Sequence, residues 1–262
     1  AVAKETDAEI LERLGERFNI LTDMTKAVKK GDVRAMIVSG PPGVGKSFGV
    51  EKVLEKHDVF ANVADDSKLK KYEVVKGAMS AIGLYKKLFE YSDRKCILVF
   101  DDCDSVFQDE LSLNILKAAL DSGKKRRIHW NADSALLRRE GIPDTFTFSG
   151  AVIFITNINF TECKSKTLKP HLEALQSRCH YVDLTINSLR DKLLRIKQVI
   201  ADGMLDEYEF QDFEKDAIVN FIDVNKKKMR ELSLRMALKV ADLKKSMPHN
   251  WQQVAQVTCM RG

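Results

Sequence analysis

The chain has 262 residues, 44% hydrophobic and 31% charged, with 43 Lys and Arg against 38 Asp and Glu and a formal net charge of +5. That is the composition of a soluble globular protein with material for one large domain and a smaller one, and no apolar run approaches the ~20 residues of a bilayer-spanning helix. The near balance of charge excludes a strong non-specific pull toward nucleic acid, so any basic surface has to be local.

In chain order, Thr6 and Glu9 form a capping box before a helix whose Ile10, Leu11, Leu14 and Phe18 share one face. Ala35–Ser39 is a short continuous apolar run, the pattern of a strand buried on both faces of a parallel sheet. Cys96–Phe100 and Ala151–Thr156 repeat it, with Tyr72–Lys76 as an edge or neighbouring strand and His180–Leu184 as a fifth. Helical patterns at 49–56, Ile82–Glu90 and Glu110–Leu120 separate these runs, which predicts an α/β fold with a parallel sheet flanked by helices. After Asn187 only helices are expected, at Ser188–Ala201, Gln211–Val224, Leu232–Lys245 and Asn250–Cys259, so the domains are expected at 1–186 and 187–262. Five cysteines without C-x-x-C pairing read as reduced thiols of a cytoplasmic protein, and no zinc ligand set is expected from them.

Gly40-Pro41-Pro42-Gly43-Val44-Gly45-Lys46-Ser47 matches G-x-x-x-x-G-K-[ST] between a predicted strand and a predicted helix, the context that a phosphate-binding P-loop requires. Its glycines let the backbone wrap a phosphate chain, and amides from Gly43 to Phe48 would point at the β-phosphate at a helix N-terminus. Lys46 would neutralise the β/γ oxygens, and Ser47 would ligate Mg²⁺. Ile97–Phe100 then runs into Asp101 and Asp102, an apolar strand ending in two carboxylates as in a Walker B motif. Asp101 is the expected metal holder and Asp102 the acid that polarises the attacking water, with Asp104 as a helper or substitute. Val152–Ile155 ends in Thr156 and Asn157, a buried strand closed by a polar amide that resembles the sensor 1 position of AAA+ proteins, a resemblance that implies Asn157, with Thr156 second, as the residue orienting that water. Ser177-Arg178-Cys179 follows before the last strand.

P-loop, paired acids, Asn after a strand and Arg before a final strand, in that order, resemble the AAA+ superfamily over nearly the whole chain. The resemblance implies an AAA+ core with a small helical lid, ATP and Mg²⁺ as cofactors, hydrolysis of ATP to ADP and phosphate, and a homo-oligomeric ring, expected to have six subunits. It makes Lys46, Asp102, Asn157 (sensor 1), Arg178 (arginine finger to a neighbour) and Arg235 (sensor 2, with Arg230 as alternative) the catalytic set. Most hydrolysing relatives carry Glu where this chain has Asp102. That departure motivates a second function, a nucleotide-dependent switch, scaffold or clamp-loader-like ATPase of low turnover.

Between the helix after the paired acids and the Asn157 strand lie residues 123–150, with β-like runs at Arg127–Trp130 and Thr145–Phe148. They read as an inserted hairpin similar to those of viral and phage helicase-type and unfoldase-type members, so a phage origin and a host-cytoplasmic location are expected. Lys124, Lys125, Arg126, Arg127 and Trp130 are the candidate nucleic-acid contacts, against a solvated loop with two aromatic core anchors. Lys76–Ala81 occupies the pore-loop position without an aromatic residue, Met79 being its bulkiest side chain, and a protein client stays open beside a nucleic-acid one.

Overall fold

A computed structural model describes residues 5–55 and 72–261. The expected capping box forms: Thr6 N donates to Glu9 Oε2 (2.7 Å) and Glu9 N to Thr6 Oγ1 (3.3 Å), and they open helix α1 (Asp7–Lys30). Leu14, Leu21 and Val28 recur at seven-residue spacing and are buried along one stripe of α1. The helix stops at Gly31, whose φ of +86° suits a residue without Cβ.

Strands β1 (Ala35–Ser39), β2 (Tyr72–Lys76), β3 (Ile97–Asp101), β6 (Ala151–Thr156) and β7 (His180–Asp183) form one parallel sheet in the order β2-β3-β6-β1-β7. The three central strands are buried at every residue, as continuous apolar runs require, and β2 and β7 are the half-covered edges. Strand β3 starts one residue later than its apolar run suggests. The shift draws Asp101 into the ladder opposite Ile155, and leaves Cys96 to hold the start of β6 through its carbonyl and Ala151 N (2.9 Å). Helices α2 (Lys46–Glu55), α3 (Ala81–Glu90), α4 (Glu110–Ala119) and α6 (Lys169–Gln176) alternate with the strands. The reading of α2 to position 56 ends outside the described residues.

The expected hairpin is present as β4 (Arg127–His129) paired antiparallel with β5 (Thr145–Thr147), with a short helix α5 (Ala135–Arg139) between them. It is not a free projection. Ile128, Leu137, Ile142, Phe146 and Phe148 all join the core beneath the sheet. Tyr85 of α3 is fully buried against Phe146 (5.1 Å between rings) and Trp130 (5.4 Å), and its hydroxyl donates to Pro143 O (2.8 Å).

The chain divides into two compact units: one of residues 19–40 and 46–183, the other of 1–18, 41–45 and 184–262. The second unit contains helices α7 (Leu189–Val199), α8 (Asp212–Asn225), α9 (Leu234–Ser246) and α10 (Trp251–Cys259). Ser188 and Ser233 cap α7 and α9, each accepting the amide three residues on. Their apolar faces meet around Ile218, Ala237 and Val240, with Phe221 edge-on to Trp251 at 5.1 Å.

Phe154 in β6 is 1% exposed, stacks on Phe100 at 5.5 Å and touches Phe107 at 5.2 Å. Phe154→Ala is expected to cost ~3–5 kcal/mol in urea unfolding. Val224→Ala, at an exposed position, should stay within ~0.5 kcal/mol.

Candidate nucleotide site

Three strand ends build the site. At the end of β1, Ser39 Oγ donates to Ile158 O (2.9 Å), and the chain leaves the sheet at Gly40, whose carbonyl accepts Lys46 Nζ at 2.7 Å. Lys46 is the first residue of α2 and only 6% exposed, and its Nζ also donates to Asn157 Oδ1 at 2.8 Å. Between them Gly43 (φ +71°) and Gly45 (φ +100°) make the left-handed turns that no side-chain-bearing residue adopts cheaply. The amides at the start of α2 form the positive end of the helix dipole, a ready seat for an anion. Ser47 Oγ donates to Asp101 Oδ1 at 3.0 Å, while Phe48 turns to solvent, 60% exposed, with Lys52 Nζ 5.5 Å from its ring.

At the end of β3, Asp101 is 4% exposed and its Oδ2 lies 3.5 Å from Lys76 Nζ. Lys76 bonds Glu51 as well (3.2 Å), and that bond leads the two carboxylates in raising its pKa. Asp102 stands just outside the strand with φ +54°, its amide bound to Ile155 O (3.0 Å) and its Oδ1 accepting Asn157 Nδ2 (3.1 Å). Lys46, Asn157 and Asp102 therefore form one hydrogen-bonded row across β1, β6 and β3. Asp104 is taken up by a different partner: its Oδ1 accepts the hydroxyl of fully buried Thr156 (2.7 Å), and burial raises its pKa while nearby Lys46 opposes the shift. Thr156 and Asp104 are thus engaged with each other beneath the row.

Arg178 lies at the opposite edge. It precedes His180, which pairs with Met36 at the amino end of β1, whereas Gly40 follows the carboxyl end. Its Nη1 donates to Ala174 O (2.6 Å), and its Nε is buried with no hydrogen-bond partner among the described residues.

In the other unit, Gly43 O accepts Leu234 N at 2.7 Å, and a Cβ on Gly43 would stand 2.6 Å from Ser233 Cβ. The N-terminus of α9 thus packs on Gly43 within this unit. Arg235, at its second position, has its amide 3.7 Å from that same point, whereas Arg230 is tied through its amide to Cys259 O (2.9 Å). Arg195 of α7 was not singled out from the sequence. Its guanidinium covers the Phe18 ring at 3.3 Å, its Nε donates to Val44 O (3.4 Å), and burial lowers its pKa to about 10. The available signal was a cation between apolar Leu194 and Ile196 in an otherwise ordinary amphipathic stripe. Lys76 was missed for the opposite reason, as an unremarkable strand-end lysine.

The basic run of the insertion divides. Lys124, Lys125 and Arg127 are exposed. Arg126 is 5% exposed, and its guanidinium donates to Ala119 O (3.1 Å) and Gly150 O (3.0 Å), so it is turned inward and not exposed beside Lys124, Lys125 and Arg127 as expected. Trp130 is corrected likewise: its ring packs on Tyr85 and its Nε1 is buried without a hydrogen-bond partner among the described residues. Met79 packs partly against the core, and its backbone amide bonds Ser105 Oγ (3.1 Å).

The family described as ATPase family associated with various cellular activities (AAA) matches residues 36–162, from β1 to just beyond Asn157. The chain is 34% identical over 255 residues to a protein of Enterobacteria phage T4 named "Uncharacterized 36.7 kDa protein in nrdC-mobD intergenic region", covering 96% of this chain and 76% of that protein. Among the described residues no helix is long and apolar enough to cross a membrane.

The left-handed backbone at Asp102 is open to direct measurement. Asp102→Gly should keep stability within ~1 kcal/mol of wild type, the relief of strain offsetting the entropy of glycine. Asp102→Val should unfold at lower urea, by ~1–3 kcal/mol relative to Asp102→Gly, because a β-branched residue is strained at positive φ.

Proposed function

We propose a function for this chain from one premise: it belongs to the AAA family of ATPases. Membership carries nucleotide binding and nucleotide-dependent ATPase activity. Beyond that, we read the chain as the Mg²⁺-dependent ATP-hydrolysing subunit of a homo-oligomeric ring, acting on a nucleic-acid or protein client. Residues 1–186 serve as the nucleotide-binding core and 187–262 as the lid.

The observation that carries this reading is the separation of two groups along one sheet. Lys46, Ser47, Asp101, Asp102 and Asn157 gather at the carboxyl ends of β1, β3 and β6. Arg178 stands at the amino end of β7, about a strand length away, or ~13–17 Å. An arginine so placed does not reach the phosphates of its own subunit, but a neighbour packed against that edge would receive it. Nucleotide phosphates would take Lys46 Nζ over from Asn157 Oδ1, leaving Asn157 to orient a water toward Asp102. Asp102, exposed and hydrogen-bonded, accepts that water's proton as it attacks the γ-phosphorus, while the bond to the β–γ bridging oxygen breaks and ADP leaves with that electron pair. The Ser47 hydroxyl and Asp101 carboxylate are hard oxygen donors 3.0 Å apart, and these two residues would hold Mg²⁺. When bound, that ion would neutralise charge developing on the phosphates. Arg235 acts from the start of α9 as the lid arginine.

A low-turnover switch is the second reading. It is favoured by the shorter reach of Asp102 compared with Glu and by the bond that already holds Asp102 to Asn157.

Lys46→Ala is expected to weaken ATP binding at least a hundredfold by calorimetry. Arg178→Ala should leave ATP affinity within twofold but lower steady-state turnover ~10³-fold in the assembled ring. Unchanged turnover in that variant would sink the trans-acting finger, and a wild type without turnover at saturating protein would favour the switch.

A further inference from the structure

The amino ends of the strands surround a second, strongly basic hollow. A cavity of about 230 Å³ opens there, lined among others by Arg34, Arg94, Lys124, Arg126, Phe148 and Gly150. Four cations face it, and no carboxylate is among its lining residues; Asp32, Asp93 and Asp121, the acids nearest in sequence, stay outside it. Arg126 forms its floor. Its guanidinium lies over the Phe148 ring at 5.2 Å and is held in place by Ala119 O and Gly150 O. Gly150 has to be glycine for this seat, because a Cβ there would stand 2.4 Å from Tyr91 O. Arg34 Nη1 donates to Gly123 O (3.2 Å), and none of these four cations forms an ion pair among the described residues.

A cation buried to this degree without a counter-charge costs several kcal/mol unless an anion compensates it. Burial and the like charge of Arg34 pull the Arg126 pKa down to about 10, so the guanidinium remains charged at neutral pH. Arg126, Arg34, Arg94 and Lys124 together offer many more N–H donors than the carbonyls bonded to them accept, in the fork geometry that suits phosphate oxygens. The cavity is smaller than the ~300–1,000 Å³ of sites for whole drug-sized molecules. It therefore takes a phosphoryl group rather than an entire nucleoside triphosphate. Parallel strands place it at the edge opposite the P-loop, ~17–20 Å away across β1 and β6.

We propose that this basic cavity is a second phosphate-binding site, separate from the P-loop, which grips a phosphoryl oxyanion between Arg34, Arg94, Lys124 and Arg126. The phosphoryl group comes either from the backbone of a polynucleotide or from a free phosphorylated molecule, and one experiment separates them. Wild type and the rim variant Arg34→Glu/Lys124→Glu are both saturated with ADP and Mg²⁺ to occupy the P-loop. Each is then titrated with pyrophosphate and with a short fluorescein-labelled oligothymidylate. The control Lys227→Glu/Lys239→Glu carries the same change of net charge on exposed positions of the other unit.

The rim variant is expected to bind one of the two probes at least tenfold more weakly than wild type, while the control stays within twofold. A loss confined to oligothymidylate assigns the phosphodiester source. A loss for pyrophosphate alone assigns a free phosphorylated ligand. Equal affinities of rim variant and wild type for both probes overturn the site, as does an equal loss in the control. So does a rim variant whose only defect is weaker self-association, since a neighbouring subunit's carboxylate would then be the anion. The outcome is independent of whether Arg178 acts as a finger, because neither readout measures turnover.

Discussion

A lysine ammonium held at 6% exposure is the constraint around which the nucleotide end of this protein is arranged. A buried charge is tolerable only where its protons are placed on acceptors. Lys46 finds Gly40 O on its own loop and Asn157 Oδ1 on a strand more than a hundred residues away in sequence. Both acceptors are on the same side because β1 and β6 are in-register neighbours, with Ser39 opposite Thr156. The next strand over, β3, then brings Asp102 to the other end of the same amide. Strand order β3-β6-β1 thus turns three remote segments into one polar row. The rigidity of three fully buried strands keeps that row in register.

The two ends of the sheet differ in kind. Carboxyl ends carry Asp101, Asp102 and Asp104 with one buried lysine, at the edge assigned by proposal to nucleotide and Mg²⁺. Amino ends carry Arg34, Arg94, Arg126 and Arg178, and no carboxylate lines the cavity there. Parallel strands make such a division simple, since every strand begins at one edge and finishes at the other. Under the proposed function, nucleotide chemistry at one edge and contacts made by the arginines of the other would not compete for the same few residues.

The insertion before β6 illustrates how a segment that reads as an appendage becomes structural. Tyr85 and Phe89 of α3 clasp Phe146, and Trp130 closes over Tyr85. These ring pairs, each worth ~0.5–1.5 kcal/mol beyond burial, fasten β4 and β5 to the sheet. Lys124, Lys125 and Arg127 stay outside while Arg126 turns inward, which gives the cavity its floor.

By itself the sequence determined the parts whose physics is local. Continuous apolar runs marked β1, β3 and β6, because a strand covered on both faces has to be apolar at every position. Glycines at 43 and 45 in a strand-to-helix setting marked the phosphate loop, and Thr6–Glu9 marked the first helix. Only the tertiary structure decided which polar groups meet. Asn157 bonds Asp102 across 55 residues and Thr156 bonds Asp104 across 52, partnerships fixed by strand order and invisible to periodicity. Arg126 among four consecutive cations looks like any surface charge until Phe148 and Gly150 supply its seat. Arg195 reveals itself only through the Phe18 ring and Val44 carbonyl that it covers. Charge and hydropathy along the chain report which face an element buries. They do not report what a buried charge will find there, because that depends on elements brought in from elsewhere in the sequence.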